Sequence, residues 1–180
     1  DDNIVFLKEI AGRSDTFRSI FEHPYLAFWR QMHRIYGTKL DINIYYQTDG
    51  FNLTRMPAKY RSEWRENSHW LKLTPHALQD KPDRPYIRAD YRRVYRDFSM
   101  IQEQIVRFAG EECLSPYTTI HWGEIPKEAC KAVRDLGYKG LVGYMEFRNG
   151  RPRVSYYLNR EQTAYMSGRD YWKDIETDLF

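Results

Sequence analysis

Along this chain the spacing of apolar residues switches repeatedly between helical and strand periods, and that alternation limits the available folds more than any single residue does. His23-Pro24 opens a helix, because the fixed φ of proline suits the first helical position. Tyr25, Phe28, Trp29, Met32, Ile35 and Tyr36 continue it at helical spacing as far as Gly37. Leu40, Ile42, Ile44 and Tyr46 then alternate with polar neighbours, which predicts a strand over 40–47 followed by the turn residues Thr48-Asp49-Gly50. A short helix is expected from near Pro57, with Tyr60 and Trp64 one turn apart, and then a strand over 70–74. Asp90 can cap a helix in which Val94, Phe98, Ile101, Ile105 and Phe108 form one apolar stripe that ends before Gly110. Residues 114–120 read as a strand, and Pro126 starts a helix through Ala129, Val133 and Leu136 that Gly137 stops. Residues 140–147 and 153–158 read as strands around the turn Arg148-Asn149-Gly150-Arg151.

Repeated strand–helix–strand units without Ser/Gly linkers predict one α/β domain over 1–180, built on a mainly parallel sheet with helices outside it, open or rolled into a barrel. Ligands in such folds sit beyond the carboxyl ends of the strands. Asp49, His76 and His121 each follow a predicted strand directly and are therefore candidates for chemistry.

Charge and composition remove several classes. The 28 basic and 25 acidic residues are interspersed, for a net charge of +3, so no nucleic-acid footprint is written. The most basic stretch, Arg84 to Arg96, is diluted by Asp90 and reads as a solvated helix face. No run reaches the roughly 18 apolar residues a membrane span needs. The chain opens on Asp1-Asp2 without an initiator Met and stops on Leu179-Phe180, so a longer parent protein and a removed export signal both stay open. The compartment, cytoplasmic or exported, stays open with them. Cys113 and Cys130 fit neither a disulfide framework nor a zinc cluster, and Cys130 lies on a helix's apolar face as a buried free thiol. Aromatic residues, at 16%, are the unusual term. Most belong in the core, but Tyr and Trp also line sugar-binding clefts, where ring faces stack on the C–H faces of pyranoses.

Three constellations stand out. His76 and Asp80 are four apart, and on a helical turn that spacing places both side chains on one face, able to grip one ion. A nitrogen and an oxygen donor suit Zn²⁺, and also Mn²⁺, Co²⁺, Ni²⁺ or Fe²⁺, although a surface His beside a surface Asp is the simpler reading. Asp1-Asp2 offers paired carboxylates that can divide metal binding from proton transfer, or else a solvated terminus. His121, in Thr118-Thr119-Ile120-His121-Trp122-Gly123-Glu124, is a third ligand, a substrate contact, a general acid or a structural histidine. His23, His33 and His69 read as structural or exposed. There is no G-x-G-x-x-G, P-loop, H-E-x-x-H or G-x-S-x-G.

Taken in order, these pieces resemble the NodB-type polysaccharide deacetylase domain over roughly residues 1–145. Asp1-Asp2 matches that family's first motif, and His76 matches the first histidine of its second. Asp80 stands where the second histidine would be. Leu114-Ser115-Pro116-Tyr117 falls at the third motif, without its arginine, and Ala132-Val133-Arg134-Asp135-Leu136-Gly137-Tyr138 at the helix that follows. The resemblance implies a distorted (β/α) barrel of six to seven mainly parallel strands with outer helices. It implies Asp1 as catalytic base and Asp2, His76 and Asp80 as ligands of a divalent ion, zinc first, with oxygen at Asp80 favouring harder or octahedral ions. The reaction implied is hydrolytic removal of an N- or O-acetyl group from a carbohydrate. No histidine follows His121, so the late acid motif is absent and His121 is the candidate for that role. Trp122, Tyr117 and Arg84 are the expected substrate contacts. Two other readings stand beside this one: a non-catalytic carbohydrate-binding barrel, and a glycoside hydrolase using Glu124 and Asp49 as its two carboxylates.

Overall fold

In the computed structural model, which describes residues 1–180, the chain begins with a helix that no sequence pattern announced. Helix α1, Val5–Gly12, turns Phe6, Leu7 and Ile10 into the core. Helix α2, Pro24–Tyr36, has the expected ends: the His23 side chain accepts from the Tyr25 N–H, and Gly37 closes it at φ +69°. Its aromatic stripe is a core face only in part, with Tyr25 and Trp29 half-buried against the core. Only Leu26 is buried, while Phe28, Ile35 and Tyr36 face solvent. Strand β1, Leu40–Tyr45, follows, and then β2, Gln47–Thr48, pairs antiparallel with β3, Phe51–Asn52, across the Asp49-Gly50 turn. Helix α3, Arg61–Glu66, buries Trp64 and leads to β4, Leu71–Ala77, which runs parallel to β1.

The longest helix, α4, Tyr91–Phe108, is capped as expected by the Asp90 side chain on the Arg93 N–H. It buries Val94, Phe98, Ile101, Ile105 and Phe108, each contributing roughly 1.5–3 kcal/mol of apolar burial. Strand β5, Tyr117–Thr118, is followed by α5, Lys127–Asp135, and β6, Gly140–Leu141, which pairs parallel with β5. Strands β7, Met145–Arg148, and β8, Arg151–Val154, form the expected hairpin, and α6, Arg160–Met166, carries a capping box between Asn159 and Gln162. One core joins α1 through α5 and includes both free cysteines. No helix is long and apolar enough to cross a membrane.

The α/β class holds, but the barrel of six to seven mainly parallel strands does not. Every sheet has two strands: β1–β4 and β5–β6 are parallel, β2–β3 and β7–β8 antiparallel. Isolated parallel bridges, Asn3 to Ile44 and Leu73 to Leu114, flank the β1–β4 pair. The expected strand over 114–120 contains Pro116, which has no N–H to donate, and it is reduced to the single bridge at Leu114 and the two-residue pairing of Tyr117 and Thr118. The expected strand over 140–147 is interrupted at Val142–Tyr144, where Gly143 packs so closely on Ser155 that a Cβ would lie 2.8 Å from its side chain. Such interruptions leave nothing continuous enough to close a barrel.

Candidate metal centre

The carboxyl ends of β1 and β4 bring three side chains together. Ile44 pairs with Pro75 and Tyr45 with Ala77, so His76 is left out of the ladder as a bulged residue. Bulges re-aim side chains, and here the imidazole turns inward, 1% exposed. Asp2 arrives from the segment that bridges to Ile44 through Asn3. His121 arrives from the loop after β5, which is tied to both strands. The Thr118 hydroxyl donates to the Pro75 carbonyl, and the Thr119 N–H donates to the Asn43 side chain at 3.0 Å.

The resulting triangle is tight. Asp2 Oδ1 lies 3.1 Å from His76 Nε2 and 3.1 Å from His121 Nδ1, and the two nitrogens are 3.0 Å apart. Adjacent ligands on an ion with bonds near 2.1 Å are separated by about 3.4 Å in a tetrahedron and about 3.0 Å in an octahedron. Asp2, His76 and His121 could therefore hold a metal ion.

The protons strengthen the fit. His76 Nδ1 faces the Thr119 carbonyl and His121 Nε2 lies 3.2 Å from the Asp80 carbonyl. A carbonyl only accepts, so each of those nitrogens carries a hydrogen, and in a neutral ring the inward nitrogen then presents a lone pair. With both rings in that form three acceptors face one another, an arrangement that a cation relieves, and histidine ligands commonly have their outer N–H anchored in this way. Burial depresses His76 to about 4, against the raising effect of the Thr119 carbonyl, so the ring is neutral at neutral pH and its contact with Asp2 is not an ion pair. Burial by itself would raise the Asp2 carboxyl; the Tyr45 hydroxyl and the two imidazoles outweigh it and hold the group below the usual aspartate value.

Supporting contacts fix the loop that carries Asp80. The Leu78 N–H donates to the Tyr86 hydroxyl at 3.1 Å, and that hydroxyl donates to the buried Asp97 of α4 at 3.3 Å. This chain of bonds positions the Asp80 carbonyl against His121, and no sequence spacing pointed to it. Tyr45, also unannounced, places its hydroxyl against Asp2 Oδ1 and 3.1 Å from His121 Nδ1.

The remaining candidates are dispersed. The Asp80 carboxylate is outside the triangle, 3.7 Å from His121 Nε2 and largely exposed. Asp1 is exposed, and its carboxylate makes neither hydrogen bond nor ion pair, although its carbonyl accepts from Asn3. Trp122 sits at φ +67° with its ring half-exposed and edge-on to His121, 5.9 Å between centroids. Arg84 is paired with Glu124 at 2.5 Å. Tyr117 belongs to a separate, mostly apolar cavity of about 380 Å³, shared with Tyr144, Tyr157, Trp172 and Phe180. A polar cleft of about 830 Å³ opens beside the triangle, lined by Asp2, Tyr45, Gln47, Asp49, Gln79 and Asp80 among others.

Compared with protein-family models, with curated proteins and with solved structures, the chain has no significant match.

Proposed function

We propose that the chain is a metal-dependent hydrolase that removes N- or O-linked acetyl groups from a carbohydrate. The observation that carries this reading is the convergence of three lone-pair donors whose outer N–H groups are already committed to backbone carbonyls. Two imidazoles and a carboxylate suit zinc, with manganese, cobalt, nickel or iron as alternatives. A divalent ion at such a site supplies Lewis acidity, acidifying water and polarising an acyl carbonyl.

The chain's own groups supply binding and proton transfer. Amides of Gln47, Asn52 and Gln79 and the carboxylate of Asp49 line the cleft and match the mixed donors and acceptors of sugar hydroxyls. The Trp122 ring, beside His121, offers a stacking face. In the reaction, water adds to the acetyl carbonyl carbon, the bond from that carbon to the sugar nitrogen or oxygen breaks, and the proton lost by water ends on the leaving group. With His121 serving as a ligand, no histidine is left as a separate acid, and one carboxylate acts first as base and then as acid. Asp1 holds that role by the NodB-type resemblance, and Asp80 is the rival by its place on the cleft. The two-carboxylate glycosidase reading has less support, because Glu124 is engaged by Arg84 and does not line the cleft with Asp49.

Protein purified without chelator should contain about one ion per chain by elemental analysis and release acetate from an acetylated chitooligosaccharide. His76→Ala should lose both. A metal-free protein whose stability ignores EDTA and added zinc would refute the centre. An ion-loaded protein that binds the oligosaccharide but releases no acetate would refute the hydrolase and leave a binding module.

A further inference from the structure

Side chains alternate along β1, so Ile42 and Ile44 enter the core while Asp41 and Asn43 point to the other side. Asparagine is disfavoured within strands, and the pairing of Asn43 with Thr74 needs only its main chain. Its amide is used elsewhere. Asp41 accepts from the Ser115 hydroxyl at 2.8 Å, and Asn43 Oδ1 accepts the Thr119 N–H at 3.0 Å, so both side chains hold the segment that leads to His121. Thr119 lies one residue beyond β5, which leaves its N–H outside the ladder for the amide oxygen to take. The Thr119 carbonyl accepts the outer N–H of His76, and His121 is two residues further on. The main-chain carbonyl of Asn43 accepts the N–H of Asn3, next to Asp2, at 3.2 Å. One residue of β1 is thus tied to every segment that brings a side chain to the triangle.

We propose that Asn43 is a positioning residue of the centre, whose amide oxygen fixes the Thr119 main chain and through it both histidines; this rests on the metal reading of Asp2, His76 and His121. The tether to Asp2 is a main-chain bond and survives substitution, so the side chain acts on the two imidazoles alone. It does so from outside the ligand set. Losing a group that orients a ligand lowers metal affinity although every ligand is still present.

The test measures Zn²⁺ affinity of the metal-free chain by competition with a chromophoric chelator, in about 0.5 M KCl so that attraction between separated charges is largely screened. Asn43→Leu is close in shape but cannot accept a hydrogen bond, and should bind zinc roughly 10- to 100-fold more weakly. Asn43→Asp keeps an acceptor oxygen in the same place and should restore wild-type affinity, a rescue that a merely structural role would not produce. Thermal melts of the metal-free proteins check folding, and Asn43→Ala is read in place of the leucine variant if that one does not fold. A leucine variant that binds zinc as tightly as wild type, or an aspartate variant as weak as the leucine one, overturns the positioning role and leaves the three-residue centre standing. A wild-type chain that binds no ion overturns the centre and this inference with it.

Discussion

Acidifying the metal-free protein should destabilise it through one imidazole. His76 is 1% exposed, and burial lowers it from the ordinary 6.5 to about 4. As pH falls through 6.5 the unfolded chain takes up the proton, while the folded chain resists until about 4. The unfolded state therefore binds more protons across that window, so stability is level above it and drops steadily within it. Each unit of displacement is worth about 1.4 kcal/mol, which makes the full loss about 3 kcal/mol. That is a large share of the roughly 5–15 kcal/mol that a domain commands. The downward shift of Asp2 acts in the same direction but only below the usual aspartate value, beneath most of this window. Urea unfolding with EDTA at constant ionic strength, at half-unit steps from pH 7.5 to 4.5, measures the slope. His76→Gln keeps a neutral polar side chain and removes the titration, so the difference between the two curves isolates the imidazole. Wild type and His76→Gln losing stability in parallel across the window would refute the reasoning.

Three further outcomes follow from the same geometry. Asp80→Asn retains the main-chain carbonyl that anchors His121, so ion content by elemental analysis should stay at the wild-type level, whereas loss of the ion would make the carboxylate itself a ligand. Comparing acetate release in Asp80→Asn and Asp1→Asn then assigns the base, which is the variant with the deeper loss at unchanged ion content. Gly123→Ala places a side chain at φ +60° with its Cβ 2.8 Å from the Ser155 hydroxyl, and should cost about 1–3 kcal/mol in urea unfolding. Because residues 121–123 carry His121, zinc affinity should fall in the same variant, and an unchanged midpoint with unchanged affinity would show that this turn does not position the ligand.

Elements whose signals are local were legible. A proline with a left-handed glycine bounds α2, an aspartate side chain starts α4, and both helices lie where caps and apolar spacing put them. What a helix packs against is not a local property. Helix α2 carries an apolar stripe as persuasive as that of α4, yet α4 lies against β4 and α5 while α2 buries only Leu26. Strand length was illegible for a similar reason. A run such as 114–120 has strand-forming composition, but pairing needs a partner that continues beside it, and Pro116 and the break at Val142–Tyr144 remove that partner.

The metal centre divides along the same line. Asp2, His76 and His121 are all nameable as candidate residues from type and position, but their grouping is not. The pairing of His76 with Asp80 assumes a helical turn, whereas His76 lies in β4. The strand ends at Ala77 and the chain bends at Leu78 and Asp80, which brings Asp80 back to the site by its main-chain carbonyl rather than by a carboxylate beside the His76 ring. His121 fills the place instead from 45 residues away, held there by Asn43 acting on the Thr119 backbone. Tyr45 is the sharper case. Strand alternation sets Leu40, Ile42, Ile44 and Tyr46 on one face and therefore turns Tyr45 to the other, polar one. The bulge at His76 breaks that alternation where β1 ends, and Tyr45 is buried while Tyr46 is only half-buried. A single residue left out of the ladder thus brings both an imidazole and a phenol to the same point, and no pattern within either strand encodes it.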